Sequence, residues 1–225
     1  MTHKIYQFFD QTRELFGDEI FIQSSMKTKT EKPLIATNGE LTKFNEEIKD
    51  CQNCQLGGTR TKFVFGVGDP NADLLLVGEA PGVEEDRIGE PFVGRAGKLL
   101  DKILAAIKLN RSKGVYICNV LKCRPPNNRD PLPSEVEQCE PYLQNQIRLI
   151  NPKLIVALGR VAGKTLLKQD VPLKVMREKM HYYEQTPLIV TYHPAALLRN
   201  GSFKKPTWKD FQWIESILLG NIEIG

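Results

Sequence analysis

The sequence predicts an α/β fold: three layers, α/β/α, around a central, mainly parallel sheet of four strands. Three observations carry this reading. Four short apolar runs, at 72–78 (ADLLLVG), 115–121 (VYICNVL), 154–158 (LIVAL) and 188–192 (LIVTY), are near-continuous rather than alternating, as in strands covered on both faces. Stretches of helical periodicity separate them. Strand–helix alternation of this kind builds a parallel sheet sandwiched between helices.

Taken in order, residues 3–22 place Ile5, Phe8, Phe9, Leu15 and Phe16 at helical spacing, which predicts a short amphipathic helix. Residues 23–40 (QSSMKTKTEKPLIATNGE) lose that period and gain Ser, Thr and Lys, as a linker does. The expected division is therefore an N-terminal extension over 1–40 and one domain over 41–225. Within the domain, helices are predicted at 95–108, 134–150, 160–169 and 207–219. The second begins at an S-x-x-E pair, Ser134 and Glu137, and carries one apolar stripe of Val136, Cys139, Leu143, Ile147 and Ile150.

Composition narrows the class. At 225 residues, 41% hydrophobic and 26% charged, the chain fits one α/β domain with a small appendage. No apolar stretch is long enough to span a bilayer, and MTHKIYQFFD lacks the signal-peptide pattern, so no membrane partner is expected. The net charge of +4 is uneven: residues 1–50 hold 7 Lys/Arg against 9 Asp/Glu, leaving the excess of cations in the remainder. Arg199, Lys204, Lys205 and Lys209 face only Asp210 in the 191–210 stretch, beside Trp208 and Trp213. Such a basic segment suits nucleic acid, and equally a solvated surface.

Four cysteines form two separated pairs. Cys51-Gln-Asn-Cys54 is a C-x2-C; Cys123 and Cys139 form a C-x15-C some 68 residues later. The flanking sequences, KDCQNCQLGGTR and KCRPPNNR, are polar and unlike a core, so a shared thiolate metal centre outweighs four separately buried thiols. Spacing alone admits zinc or an iron–sulfur cluster. Cys118, inside VYICNVL, reads as an ordinary buried cysteine. Thiolate ligands and an odd fifth thiol suit a reducing compartment, which predicts a cytoplasmic protein.

Ligands in open α/β sheets bind at the carboxyl ends of the strands. Past the first strand stands Gly78-Glu79-Ala80-Pro81-Gly82; near the end of the second stands Asn119; past the fourth stands His193-Pro194-Ala195-Ala196-Leu197-Leu198-Arg199. A carboxylate, an amide and an imidazole thus converge on one edge, enough to hold a water, read a hydrogen-bonding edge and stabilise a leaving anion. Singly, each has a duller reading as a turn or strand-end residue. Gly159-Arg-Val-Ala-Gly163-Lys164-Thr165 imitates a phosphate-binding loop but has three residues between its glycines where four are needed, and Val161 and Ala162 read as a helix packing face. GVGDPNAD precedes its strand, so it is no dinucleotide fingerprint.

In combination, GEAPGVEED, PFVGRAGKLLD, NVLKCRPPNNRDP and HPAALLR, in that order, resemble the family-four uracil-DNA glycosylases, and the likeness runs from about Lys49 to the C-terminus. The resemblance implies an enzyme that hydrolyses the N-glycosidic bond of deoxyuridine in single- or double-stranded DNA, the first step of base excision repair, acting as a monomer. It selects a [4Fe-4S] cluster on Cys51, Cys54, Cys123 and Cys139. It further implies that a flipped uracil sits against Gly78 and Ala80, stacks on Phe92 and is read by Asn119. His193 would stabilise charge at uracil O2, Glu79 would activate water or steady the oxocarbenium sugar, and Glu85 would obstruct a thymine methyl near C5. Leu197 or Leu198 would be the wedge in the duplex and Arg199 a phosphate contact. Related covalently trapping enzymes carry a His-containing insertion near CRPPNNR that is absent here, which predicts hydrolytic turnover. Family-five relatives carry a small apolar residue in place of Glu79, and the glutamate predicts narrow uracil specificity. Two other classes compete: a non-catalytic iron–sulfur or zinc DNA-binding module, and a metal-dependent nuclease built on Glu84, Glu85 and Asp86, whose consecutive side chains diverge on a helix and would be partly solvated.

Overall fold

The computed structural model describes residues 38–222; the helix expected at 3–22 lies outside them. A six-stranded sheet forms the centre, in the order β1-β3-β2-β4-β6-β5. The strands are β1 (Val67–Gly68), β2 (Leu74–Gly78), β3 (Val115–Asn119), β4 (Leu154–Leu158), β5 (His181–Tyr183) and β6 (Thr186–Thr191). The four predicted strands are the inner, mutually parallel ones. Two antiparallel edge strands extend them and correct the expected count of four. β1 is two residues long, too short for a periodic signal, and β5 folds onto β6 through a turn at Glu184 that carries no Asn-Gly or Asp-Gly mark.

Helices α1 (Asn38–Ile48), α4 (Pro133–Ile150), α5 (Arg160–Leu167) and α6 (Leu173–Met176) share one side of the sheet with Leu75, Val77, Tyr116, Cys118, Ile155 and Val190. On the other side α3 (Arg95–Ala106), α7 (Pro194–Arg199) and α8 (Lys204–Leu218) cover Leu74, Leu76, Ile117, Val156 and Ile189. Alternate residues of every inner strand therefore meet a helical layer, which explains the unbroken apolar runs. A short helix α2 (Val83–Ile88) follows β2.

α1 begins at Asn38, within the stretch read as linker, and buries Leu41, Phe44 and Ile48. One predicted helix start is corrected. α4 starts at Pro133, and the carboxylate that accepts from the capping backbone N–H, that of Leu132 at 2.8 Å, belongs to Glu135 and not Glu137. Proline's fixed φ favours the first helical position, which sets this register. Trp208 is buried in the core and Trp213 packs against it. The stripe of Cys139, Leu143, Ile147 and Ile150 on α4 faces the core, as predicted, and Cys118 is buried.

α6, β6 and α8 are locked by a buried ion pair. Arg177 donates to both carboxylate oxygens of Asp210 (2.9 and 3.1 Å), while Thr191 donates to the same carboxylate at 2.5 Å. The guanidinium also lies 4.5 Å from the Tyr192 ring centroid, and that ring stacks on Phe203 at 4.4 Å. Removing one partner of such a pair costs about 3–5 kcal/mol, because the other charge is stranded. The lock sits directly before His193.

Candidate active site

The strand order reverses between β2 and β4, with β3 on one side and β6 on the other, and a crevice opens at such switch points. Here it is a cavity of about 710 Å³ lined by Glu79, Ala80, Glu85, Phe92, Asn119 and His193, with Asp130, Gly159, Arg160 and Arg199 around them. The strand ends are level: Gly78 pairs with Asn119 and Leu158 with Thr191, so groups just past them share one rim.

Phe92 has φ +55°, a left-handed conformation that a bulky residue adopts only when its surroundings impose it. Four constraints do so. Arg111 donates to the carbonyls of Pro91 (2.8 Å) and Phe92, and is itself held by Asp101 at 2.7 Å. The Glu85 carboxylate accepts from the N–H groups of Val93 and Gly94, both at 3.0 Å. Gly97, on the first turn of α3, lies so close that a Cβ there would stand 1.6 Å from the Phe92 carbonyl oxygen. A Cβ on Gly78 would fall 2.7 Å from the Phe92 ring and 2.3 Å from Asn119 Oδ1. Gly78 thus makes room behind the ring and the amide and does not itself line the cavity.

Asn119 is 2% exposed at the end of β3. His193 caps α7: its Nδ1 accepts from the Ala195 N–H at 3.1 Å. With Nδ1 an acceptor, the proton of the neutral ring sits on Nε2. Burial, reinforced by Arg199 and opposed by Glu85, lowers its pKa to about 4, so it is neutral at pH 7. Its ring lies 5.4 Å from that of Phe92. Gly159, at φ +97°, brings the backbone entering α5 against the imidazole. Burial, together with Asp130, raises Glu79 to about 7, and Arg160 draws it the other way. Arg160 and Asp130 pair at 3.3 Å.

The structure sorts the remaining predictions. Leu197 is 2% exposed and belongs to the core under α7, which corrects its place as an alternative wedge; Leu198 is 45% exposed beside exposed Arg199. Glu84, Glu85 and Asp86 do diverge: Glu84 pairs with Arg87, Glu85 holds the Phe92 loop, and Asp86 accepts from the Thr61 N–H at 2.9 Å. Asp86 is buried and not solvated, because it ties the loop before β1. Arg111, Gly97, Asp130 and Arg160 were not singled out by the sequence. Arg160 carried a signal, since it stands two residues past a predicted strand; Arg111 carried none.

The paired cysteines come together from three directions. Cys51 and Cys54 lie between α1 and a 3-10 turn at Gln55–Gly58, Cys123 follows β3, and Cys139 is on α4. Their sulfurs receive hydrogen bonds: Tyr142 Oη to Cys51 at 3.1 Å, Arg60 Nη1 to Cys123 at 3.4 Å and the Lys122 N–H to Cys139 at 3.3 Å. Burial pushes the Cys139 thiol up to about 11 and raises Cys123, while Lys122 and Arg60 respectively favour their thiolates. Among the described residues no three His, Cys, Asp or Glu side chains are grouped as for a single metal ion.

A doubly wound sheet with this cavity at its switch point is one member of a known class. The chain belongs to the uracil DNA glycosylase superfamily, whose family model matches residues 65–215. It is similar to the Type-4 uracil-DNA glycosylase of Archaeoglobus fulgidus, 47% identical over 176 residues, which cover 75% of this chain and 88% of that protein. The Type-4 enzymes of Sulfurisphaera tokodaii and Pyrobaculum aerophilum are 43% and 42% identical, over 80% and 76% of this chain and 85% and 91% of their own lengths. No described helix is long and apolar enough to cross a membrane.

Proposed function

We propose that this protein excises uracil from DNA by hydrolysing the N-glycosidic bond of a flipped deoxyuridine. The observation that carries the reading is the cavity itself, in which a fixed aromatic, a buried amide, a neutral imidazole and a carboxylate titrating near neutrality share one rim. Uracil stacks on Phe92, whose strained backbone holds the ring ready before the base arrives. Asn119 pairs with O4 and N3–H, where cytosine offers a donor in place of an acceptor. Ala80 closes the floor, and Glu85 stands where a thymine methyl would project.

As the C1′–N1 bond lengthens, its electron pair moves into the uracil ring and charge gathers at O2. His193 donates Nε2–H there; being neutral beforehand, the ring is repelled by no cation, and its hydrogen bond strengthens as charge develops. Glu79, while ionised, steadies the oxocarbenium sugar by its negative charge, and it then takes a proton from the water as that water's oxygen bonds to C1′. Leu198 fills the vacated stack and Arg199 holds a phosphate.

The cysteine set is read as ligands of a [4Fe-4S] cluster. Donors to three of the sulfurs are those that thiolates attract, and a cubane spreads its four ligands farther apart than a single ion does. Cys51, Cys54, Cys123 and Cys139 would hold it, and when bound it supplies a cross-link between the α1 end, the β3 exit and α4. The expected state is a monomer, and the expected compartment is the cytoplasm.

Release of free uracil from a uracil-containing oligonucleotide, in EDTA and without added divalent metal, is the expected result. The Glu79 assignment adds a pH signature. A carboxyl whose pKa is raised to about 7 is active only when ionised, so single-turnover excision should fall as pH drops through about 7. Glu79→Gln should be slow and lack that limb; a Glu79→Gln enzyme with the wild-type profile would remove Glu79 from the reaction.

A further inference from the structure

Lys122 is a buried cation that the proposed mechanism leaves unused. It is 0% exposed. Its Nζ donates to the Asn119 carbonyl at 2.7 Å and to Gln146 Oε1 at 2.5 Å. Gln146 is oriented by its own donation from Nε2 to the Phe65 carbonyl at 2.9 Å, which turns its oxygen toward the lysine. Among the described residues no carboxylate pairs with Lys122; both acceptors are neutral amide oxygens. A buried ammonium facing only neutral groups is costly unless charge compensates it nearby. The cysteines around it are the candidates: Lys122 directly precedes Cys123, its backbone N–H donates to Cys139 Sγ at 3.3 Å, and its charge acts on Cys139 and also on the buried Cys118.

We propose that Lys122 is a positioning residue that couples the cysteine centre to the base-reading amide, its ammonium holding the Asn119 carbonyl while the cluster's thiolates supply its counter-charge. Two chain segments then depend on one head group. On one side the end of β3 is pinned at Asn119, whose side chain already has Gly78 and Phe92 at its back. On the other, the β3 exit is tied to α4 through Cys139. Arg60 makes the matching contact at Cys123, so two cations flank a centre of net negative charge. Arg60 otherwise donates to the carbonyls of Cys51 and Lys49, whereas Lys122 donates to that of Asn119. This inference rests on the [4Fe-4S] reading.

The test uses the full-length holoprotein and Lys122→Met, which keeps much of the chain's bulk and removes the charge. Iron per chain and visible absorption establish loading. The midpoint potential of the cluster and single-turnover excision at saturating enzyme are then compared with affinity for an abasic-site oligonucleotide. Loaded Lys122→Met should show a more negative potential, because a nearby cation favours the reduced cluster. Its excision should be slower by about tenfold or more, with abasic-site affinity within about twofold of wild type, because a displaced amide misplaces the base. A merely structural lysine would lower stability and leave both loaded readouts at wild-type values, and either one unmoved overturns the coupling. If Lys122→Met does not load or fold, Gln146→Leu decides: it keeps the cation but loosens its seat, so excision should slow with iron intact, and an unchanged rate overturns the proposal. Wild-type protein that carries no iron after anaerobic purification would instead refute the cluster reading, a result visible before any variant is made.

Discussion

Two segments that help to line the cavity are built on opposite plans. The segment 91–94 (PFVG) has almost no local structure: its backbone is held by groups from elsewhere, Arg111 on two carbonyls and Glu85 on two N–H groups, with Gly97 pressed beneath. The segment 193–199 (HPAALLR) is self-contained. His193 caps its own helix, the Ala196 N–H returns to the His193 carbonyl at 2.8 Å, and Leu197 roots the turn in the core while Leu198 and Arg199 project. A stacking surface must not move, so it is over-determined from outside. HPAALLR, proposed both to react and to probe DNA, is rooted at Leu197 and left exposed at the next two residues.

The largest expected effect comes from the His193 side of this contrast. His193→Ala removes an imidazole donor from the cavity wall and should slow single-turnover excision by about 10²–10³-fold. Affinity for an abasic-site oligonucleotide should change little, because charge at O2 exists only in the transition state. Titration of binding beside single-turnover rates separates the two. Equal losses in both would reduce HPAALLR to a docking loop and dissolve the contrast.

Arg111→Ala probes the other plan. With its carbonyl clamps gone, Phe92 can relax from φ +55°, a conformation worth about 1–3 kcal/mol of strain. The protein should therefore stay folded, losing little stability or gaining some, while excision falls by about tenfold to a hundredfold through loss of the fixed ring. Paired thermal melts and rates check this. A variant that loses stability in proportion to activity would show that Arg111 is ordinary packing.

Much of this was legible in the sequence, and the exceptions share a cause. The inner strands and the helices after them could be read because burial on both faces leaves an uninterrupted apolar run. That Glu79, Asn119 and His193 share one rim could be read because strand ends are where such sheets open a crevice. The clamp on Phe92 could not. Arg111 lies 19 residues from the carbonyl it holds and in no periodic segment, and Gly97 looks like any helix glycine until the chain packs against it. Leu197 and Leu198 are adjacent and identical in type, so only the turn of α7 decides which is buried. Nothing in the sequence marks Lys122 as buried, since one acceptor of its ammonium, Gln146, comes from a helix later in the chain.

The Leu197–Leu198 pair gives a sharper, smaller test. Leu197→Ala should cost about 2–5 kcal/mol of stability by opening a cavity in the core, with loaded, folded enzyme near wild type in rate. Leu198→Ala should leave the melt unchanged and weaken flipping, seen as about tenfold or less in excision from duplex DNA. In single-stranded substrate, where there is no stack to fill, the Leu198→Ala deficit should nearly vanish. A Leu197→Ala enzyme with unaltered stability would return that residue to the candidate wedges.

The smallest effect is expected at Arg199, the outermost residue of the same turn. As a phosphate contact it contributes to affinity through counterion release, so Arg199→Ala should reduce the slope of log affinity against log salt by about 1 and lower affinity similarly across sequences. It should not change the chemistry at saturation. Arg199 does help to keep His193 neutral, but burial is the larger cause of that low pKa, so the ring remains uncharged at pH 7 without it. The single-turnover rate at neutral pH should stay at the wild-type value, and any acid limb from His193 should move upward from about 4, since the removed cation no longer opposes protonation. An unchanged salt slope would take Arg199 off the DNA, and a collapsed neutral-pH rate would place it inside the reaction and erase the division between the reacting and probing ends of this segment.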